Sequence, residues 1–183
     1  MTDEALRRAF RSTRAVLANV GPGVLGDPTP CRSWNVGELI NHVVAAPRFG
    51  VRALRGESLG DETDYARGDF LAAYDATTEE ALAAFAAPGV LEQMVTLPFA
   101  EVPGAFLRMM ITTDQFAHGW DLARATGQST DLDRDLAVEL MAEAAVPAEF
   151  RGEDGVAPFG PEQRAPDSAT AADKLAAYLG RTL

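Results

Sequence analysis

The chain of 183 residues has one cysteine, one lysine and two histidines. Cys31 has no partner with which to form an internal disulfide, so the fold must rest on a packed core. Lys174 stands alone while arginine, alanine and glycine abound, a pattern of coding bias rather than of physics. Imidazole chemistry can use only His42 and His118. No apolar run approaches the ~20 residues that a membrane span needs. Asp3 and Glu4 precede a polar amphipathic segment, so no signal peptide is expected and the protein is predicted to be cytoplasmic. The formal charge of -11 argues against a nucleic-acid partner, because phosphate binding needs a basic face. There is no internal repeat and no low-complexity tract.

The length suits one domain, residues 1–183, large enough to bury a core without staples. Composition is that of a soluble globular chain, 47% hydrophobic and 23% charged. The charge is uneven. Arg7, Arg8, Arg11 and Arg14 crowd the first helix, where they read as a solvated face turned to acidic neighbours.

Apolar periodicity predicts an all-α fold: an up-and-down four-helix bundle with additional C-terminal helices. The core covers about 3–146 and a C-terminal extension covers 147–183. The first helix runs from Asp3 to Val20, with Thr2 as N-cap and Leu6, Phe10, Thr13 and Leu17 as its stripe. Gly21-Pro22-Gly23 ends it. The linker 24–35 is kept extended by Pro28 and Pro30. Asn35 and Glu38 form a capping box for a second helix over Val36–Arg55. Pro47 lies inside that helix and deletes the amide that would bond the Val43 carbonyl, so a kink or break is expected. A third helix spans Gly68–Ala87, and a weak alternation over Gln93–Phe99 suggests a short strand or ordered loop. The fourth helix, Ala105–Thr126, is apolar nearly all round, which places it in the core; Gly127 stops it. A fifth spans Leu132–Val146, with Asp131 or Asp133 at its start. Residues 147–167 read as a surface excursion that packs down through Phe150, Val156 and Phe159. A last helix covers Ser168–Leu179, with Ser168 as its cap.

Asp114 and His118 are four apart, one turn above each other on one helix face, so both can grip one ion. His42 falls on the other strongly apolar helix, where an unpaired polar group is costly. Two histidines and one carboxylate suit zinc, nickel or iron with a position left open. The spacing alone leaves Asp114 open to a plainer role, as a surface residue or a hydrogen-bond partner of His118. Asp121, three after His118, is read as orienting a ligand or holding Arg124. Cys31 is expected to be a small core residue rather than a nucleophile. Trp34 and Trp120 read as core. Arg48, Arg52 and Arg124 are candidates to receive anionic groups. Tyr65 and Tyr74 are candidate proton donors that nothing singles out.

The run from Thr29 to His42 (Thr-Pro-Cys-Arg-Ser-Trp-Asn-Val-Gly-Glu-Leu-Ile-Asn-His) and the run from Asp114 to Gly127 carry a resemblance. The chain resembles the DinB-like family of four-helix metal-binding proteins, in the actinobacterial branch with the mycothiol-dependent maleylpyruvate isomerases. The resemblance covers most of the first 130 residues. It implies that His42, ending the Trp-x-Val-x-x-Leu-x-x-His pattern, is the first metal ligand and that Asp114 and His118 complete the set. Many relatives carry Glu or His where Asp114 stands. It further implies zinc, a low-molecular-weight thiol such as mycothiol as cosubstrate, a small-molecule electrophile, and a homodimer. The expected function is a metal-dependent thiol transferase or isomerase. The alternative is a non-catalytic metal- or small-ligand-binding bundle. The isomerases' large C-terminal domain has no counterpart here, so their substrate is not carried over.

Overall fold

The computed structural model describes residues 2–153 and 156–183. Residues 154 and 155, within the predicted excursion, lie outside the described residues. Six α-helices make up most of what is described: α1 Asp3–Leu17, α2 Val36–Arg55, α3 Phe70–Phe85, α4 Gly104–Ala125, α5 Arg134–Glu143 and α6 Ala171–Tyr178. Two short strands, β1 Met94–Thr96 and β2 Glu101–Pro103, pair antiparallel between α3 and α4, with Val95 opposite Val102. The predicted all-α bundle is therefore what forms; β2 and three single helical turns, Pro22–Val24, Tyr65–Arg67 and Ala148–Phe150, lay outside the expected elements.

Local chemistry explains the helix ends. Thr2 accepts the Ala5 amide at the start of α1. That helix stops at Leu17, short of Val20, where the Asn19 side-chain amide donates to the Ala15 carbonyl at 2.8 Å and closes the end. The Asn35–Glu38 capping box opens α2 as expected. Asp133 caps α5. Thr170, not Ser168, caps α6, because Asp173 three residues on completes a box with it.

The four long helices pack in a ring, α1 on α3 and α4, α2 on α3 and α4. Their common core takes in Leu6, Phe10, Leu17, Leu39, Ile40, Tyr74, Phe85, Leu107 and Leu122. A second core joins α1 and α4 to the α5–α6 pair through Ala9, Phe116, Trp120, Leu136, Leu140, Leu175 and Leu179. Of the excursion's aromatic and branched residues, Phe159 packs onto this second core, whereas Phe150 and Val156 are exposed, contrary to expectation. Three of the four α1 arginines meet acids: Arg8 with Asp133, Arg11 with Glu4, Arg14 with Asp75. Among the described residues no helix is long and apolar enough to cross a membrane.

Helix α2 runs unbroken through Pro47. The missing amide is replaced from across the bundle: fully buried Gln115 of α4 donates Nε2 to the Val43 carbonyl at 3.1 Å. Its Oε1 accepts the Tyr74 hydroxyl of α3 at 2.7 Å. One turn further along α4, Gly119 lets α1 come close; a Cβ there would lie 2.5 Å from the Thr13 hydroxyl. That hydroxyl donates to the Gln115 carbonyl at 2.7 Å. One residue of α4 is thus keyed to all three other helices of the ring.

Candidate metal centre

His42 lies two turns into α2, and Asp114 and His118 lie one turn apart on α4. The Gln115 bridge sets the two helices in register, and the three side chains converge. His42 Nε2 stands 2.9 Å from Asp114 Oδ1, and His118 Nε2 stands 3.4 Å from the same oxygen. One donor atom from each residue falls within 4.8 Å of the other two. In a tetrahedral shell with bonds of ~2.0–2.1 Å, neighbouring donors are about 3.3 Å apart, so the set fits a divalent ion. The two imidazole rings meet edge to face at 4.7 Å.

Electrostatics agree with a cation site. Burial pushes the Asp114 carboxyl up, but the charges of His42 and His118, with hydrogen bonds from His42 and Gln115, outweigh it and hold it at about 2. Burial pushes His42 down, yet Asp114 opposes this more strongly and leaves it raised.

The linker before α2 builds one wall. The Thr29 hydroxyl lies 2.9 and 2.8 Å from the carbonyls of Cys31 and Trp34 and accepts the Cys31 amide. This turn brings Trp34 onto the site, with its ring 4.6 Å from that of His42 and 5.5 Å from that of His118. Trp34 is half-buried, packed against the first core with its ring over the ligands; Trp120 is fully buried in the second core and donates its indole N–H to Asp173.

Cys31, in contrast, is not a core residue. Its thiol donates to Asp121 Oδ2 at 3.2 Å and lies 3.8 Å from His118 Nδ1. Asp121 is fully buried on α4 and accepts from His118 Nδ1 at 2.9 Å. Its cation is Arg181, not Arg124: Nη2 and Nε donate at 2.9 and 3.2 Å. Burial pushes the Asp121 carboxyl up, but Arg181 and His118 overcome it and depress it strongly. Cys31, His118 and Asp121 could offer a second triad of donors. The guanidinium on the same carboxylate oxygen already supplies the positive charge there, so this cluster reads as a hydrogen-bonded network.

A cleft of about 420 Å³ opens beside His42 and Asp114. Ala45, Ala46, Phe49, Leu59, Met110 and Ile111 make its apolar walls. Its remaining polar members, Asn41 and Asp61, are engaged. Asn41 donates to Asp64 and accepts the Ala66 amide. Asp61 accepts from the Thr63 amide and the Tyr65 hydroxyl. None of the three candidate arginines lines the cleft. Arg48 donates to the Tyr65 hydroxyl, Arg52 to the Gly60 carbonyl, and Arg124 is exposed at the end of α4. Tyr74 is buried under Gln115, away from the cleft.

Comparison with known proteins agrees with this architecture. The family model described as the mycothiol maleylpyruvate isomerase N-terminal domain matches residues 6–123. The chain belongs to this family. Two uncharacterized proteins of Mycobacterium tuberculosis, from strains CDC 1551 / Oshkosh and H37Rv, are each 44% identical over 182 residues, covering 98% of this chain and 97% of theirs. No solved structure matches the chain.

Proposed function

We propose that this member of the mycothiol maleylpyruvate isomerase N-terminal family binds a divalent metal and uses a low-molecular-weight thiol of the mycothiol type, as a metal-dependent thiol transferase or isomerase. Residues 1–183 act in it as one unit. The observation that carries the reading is the convergence of His42, Asp114 and His118 at the head of an apolar cleft. These three side chains would hold the ion, zinc by preference, with nickel or iron as alternatives.

A bound ion would supply stabilisation of the cosubstrate's thiolate, the nucleophilic form of a thiol. The protein's own groups have separate tasks. Asp121, held as a carboxylate, requires His118 Nδ1 to be the protonated nitrogen, which leaves the Nε2 lone pair facing Asp114. Trp34 covers the imidazoles and limits water at the ligands. Phe49, Leu59, Met110 and Ile111 would receive the apolar part of an electrophile. Asn41 and Asp61 hold the cleft's outer wall through their bonds to the segment 63–66.

A second reading, binding without turnover, draws on one observation. Beyond His42 and Asp114, the polar groups lining the cleft, Asn41 and Asp61, are already engaged within the protein. Two measurements sort the readings. Metal analysis of purified protein should give one ion per chain, lost in His42→Ala. Conjugation of a chloro-dinitrobenzene should then depend on both metal and added thiol. Metal binding without thiol-dependent turnover would leave the binding module; no metal in the unaltered protein would remove both.

A further inference from the structure

We propose that Arg181, from the end of the chain, is a positioning residue of the metal centre: it fixes the Asp121 carboxylate, which in turn fixes the ring angle of His118. The purpose of this device rests on the metal reading above; its geometry does not.

The chain takes trouble to deliver this arginine. Helix α6 docks on α4 through Leu175 and Leu179 in the second core, and Asp173 accepts the indole N–H of Trp120. Just past α6, Gly180 turns in the left-handed region at φ 96°. A Cβ on Gly180 would lie 2.5 Å from the Gly160 backbone, so both the turn and the approach demand glycine. Arg151 ties the same turn down, donating to the carbonyls of Gly160 and Tyr178. The next residue is Arg181, which reaches Asp121 with two nitrogens and is itself 11% exposed.

Without those two donors the Asp121 carboxylate would lose the grip that fixes its orientation, and the His118 ring, which meets it through Nδ1 at 2.9 Å, would lose the anchor that aims Nε2 at Asp114. Arg181 also lies outside the segment 6–123 that matches the family model, so the centre depends on a part of the chain beyond that segment.

Three variants test this. Arg181→Gln removes the charge. Arg181→Lys keeps the charge but gives up the two-nitrogen grip. Gly180→Ala keeps Arg181 and misdirects it. The metal-free readout is the orientation of the His118 ring in a crystal structure of each variant. The metal readout is zinc affinity by chelator competition, with the visible spectrum of the cobalt-substituted protein. Unaltered protein should show the His118 ring with Nδ1 on Asp121. Arg181→Gln and Gly180→Ala should leave the ring turned from that position or in more than one orientation, and weaken zinc about 10–100-fold. Arg181→Lys should restore much of both. An unchanged His118 ring in folded Arg181→Gln or Gly180→Ala overturns the proposal. If Arg181→Gln does not fold, the Lys and Ala variants decide by the same readouts. If the unaltered protein binds no zinc, the metal reading falls, and the ring orientation alone decides the role of Arg181.

Discussion

The repair of Pro47 by Gln115 makes a sharp energetic prediction. Replacing Gln115 by leucine keeps the volume and the helix propensity but strips the Val43 carbonyl of its donor, in the fully buried interior. The Tyr74 hydroxyl loses its 2.7 Å acceptor and keeps weaker company, a 3.5 Å approach to the Phe10 carbonyl and the nearby Thr13 hydroxyl. Leaving a buried polar group unpaired costs ~1–3 kcal/mol, so the variant should lose about 2–3 kcal/mol after the weaker contact of Tyr74 is counted. In a chain of this size that corresponds to ~4–12 °C in Tm. Pro47→Ala restores the amide whose intrahelical acceptor is the Val43 carbonyl. In that background Gln115→Leu should cost less by about 1 kcal/mol, the worth of one hydrogen bond. Urea unfolding of the four proteins of the cycle, compared at a common m-value, measures this coupling. If the two substitutions add to within ~0.5 kcal/mol, the carbonyl of Val43 is not what Gln115 serves, and the reasoning fails.

Other consequences are open to measurement. Asp114 and Asp121 are both depressed, so each contributes stability that is full above the ordinary carboxylate range and is lost as pH falls through it, toward about 2 for Asp114. His42 is raised, so its contribution is full below its unfolded value and is lost as pH rises through the folded one. Metal-free protein should therefore melt highest between about pH 4.5 and 6.5, with Tm falling on either side; a Tm that climbs steadily to pH 8 would contradict this. Zinc needs deprotonated imidazoles, so its stabilising increment should widen over the upper part of that range. Trp34 lies against His42, so metal binding should change tryptophan emission in Trp120→Phe and not in Trp34→Phe. Gly119→Ala places a Cβ 2.5 Å from the Thr13 hydroxyl, and overpacking of this kind costs about 1–3 kcal/mol; an unfolding midpoint unchanged from the parent would show that α1 yields freely.

What the sequence disclosed was mostly local. Stripes at three and four residues, the Thr2 cap, the Asn35–Glu38 box and the Asp114–His118 spacing depend on neighbours within a turn or two, and these elements appear where periodicity predicts. Ser168 was a misreading that the same rule corrects: Thr170-x-x-Asp173 is the complete box. The meeting of His42 with α4 was not contained in any spacing and entered through the family resemblance. The partner of Asp121 lies 60 residues away on the chain. One signal for it was present: an aspartate between Trp120 and Leu122, on a helix with no polar face, requires a buried cation. Nothing local says which arginine answers. Cys31 was misplaced for a related reason, and Trp34, which does pack on the core, was not expected to face the site as well. Their types suit a core, and only the turn fixed by Thr29 decides that they face the site.

The polar residues of α4 also answer a question that its apolar pattern raises. A helix hydrophobic on nearly every side gains little from one rotation over another, since each buries similar area. Yet the three candidate ligands converge only if Asp114 and His118 face α2. Specific rungs make the choice. Arg108 pairs with Asp3 of α1; Gln115 reaches α2 and α3; Gly119 admits Thr13 of α1; Asp121 reaches Arg181. Turning α4 by one residue, ~100° about its axis, would strand Gln115 and Asp121 together among apolar neighbours. A buried carboxylate that loses its partner costs ~3–5 kcal/mol and an unpaired amide ~1–3 kcal/mol more, a large share of the 5–15 kcal/mol that holds a typical domain. The rotation that presents the three candidate ligands is therefore selected by residues that bind no ion, and substitutions at Gln115 or Arg181 should reach the centre without touching it.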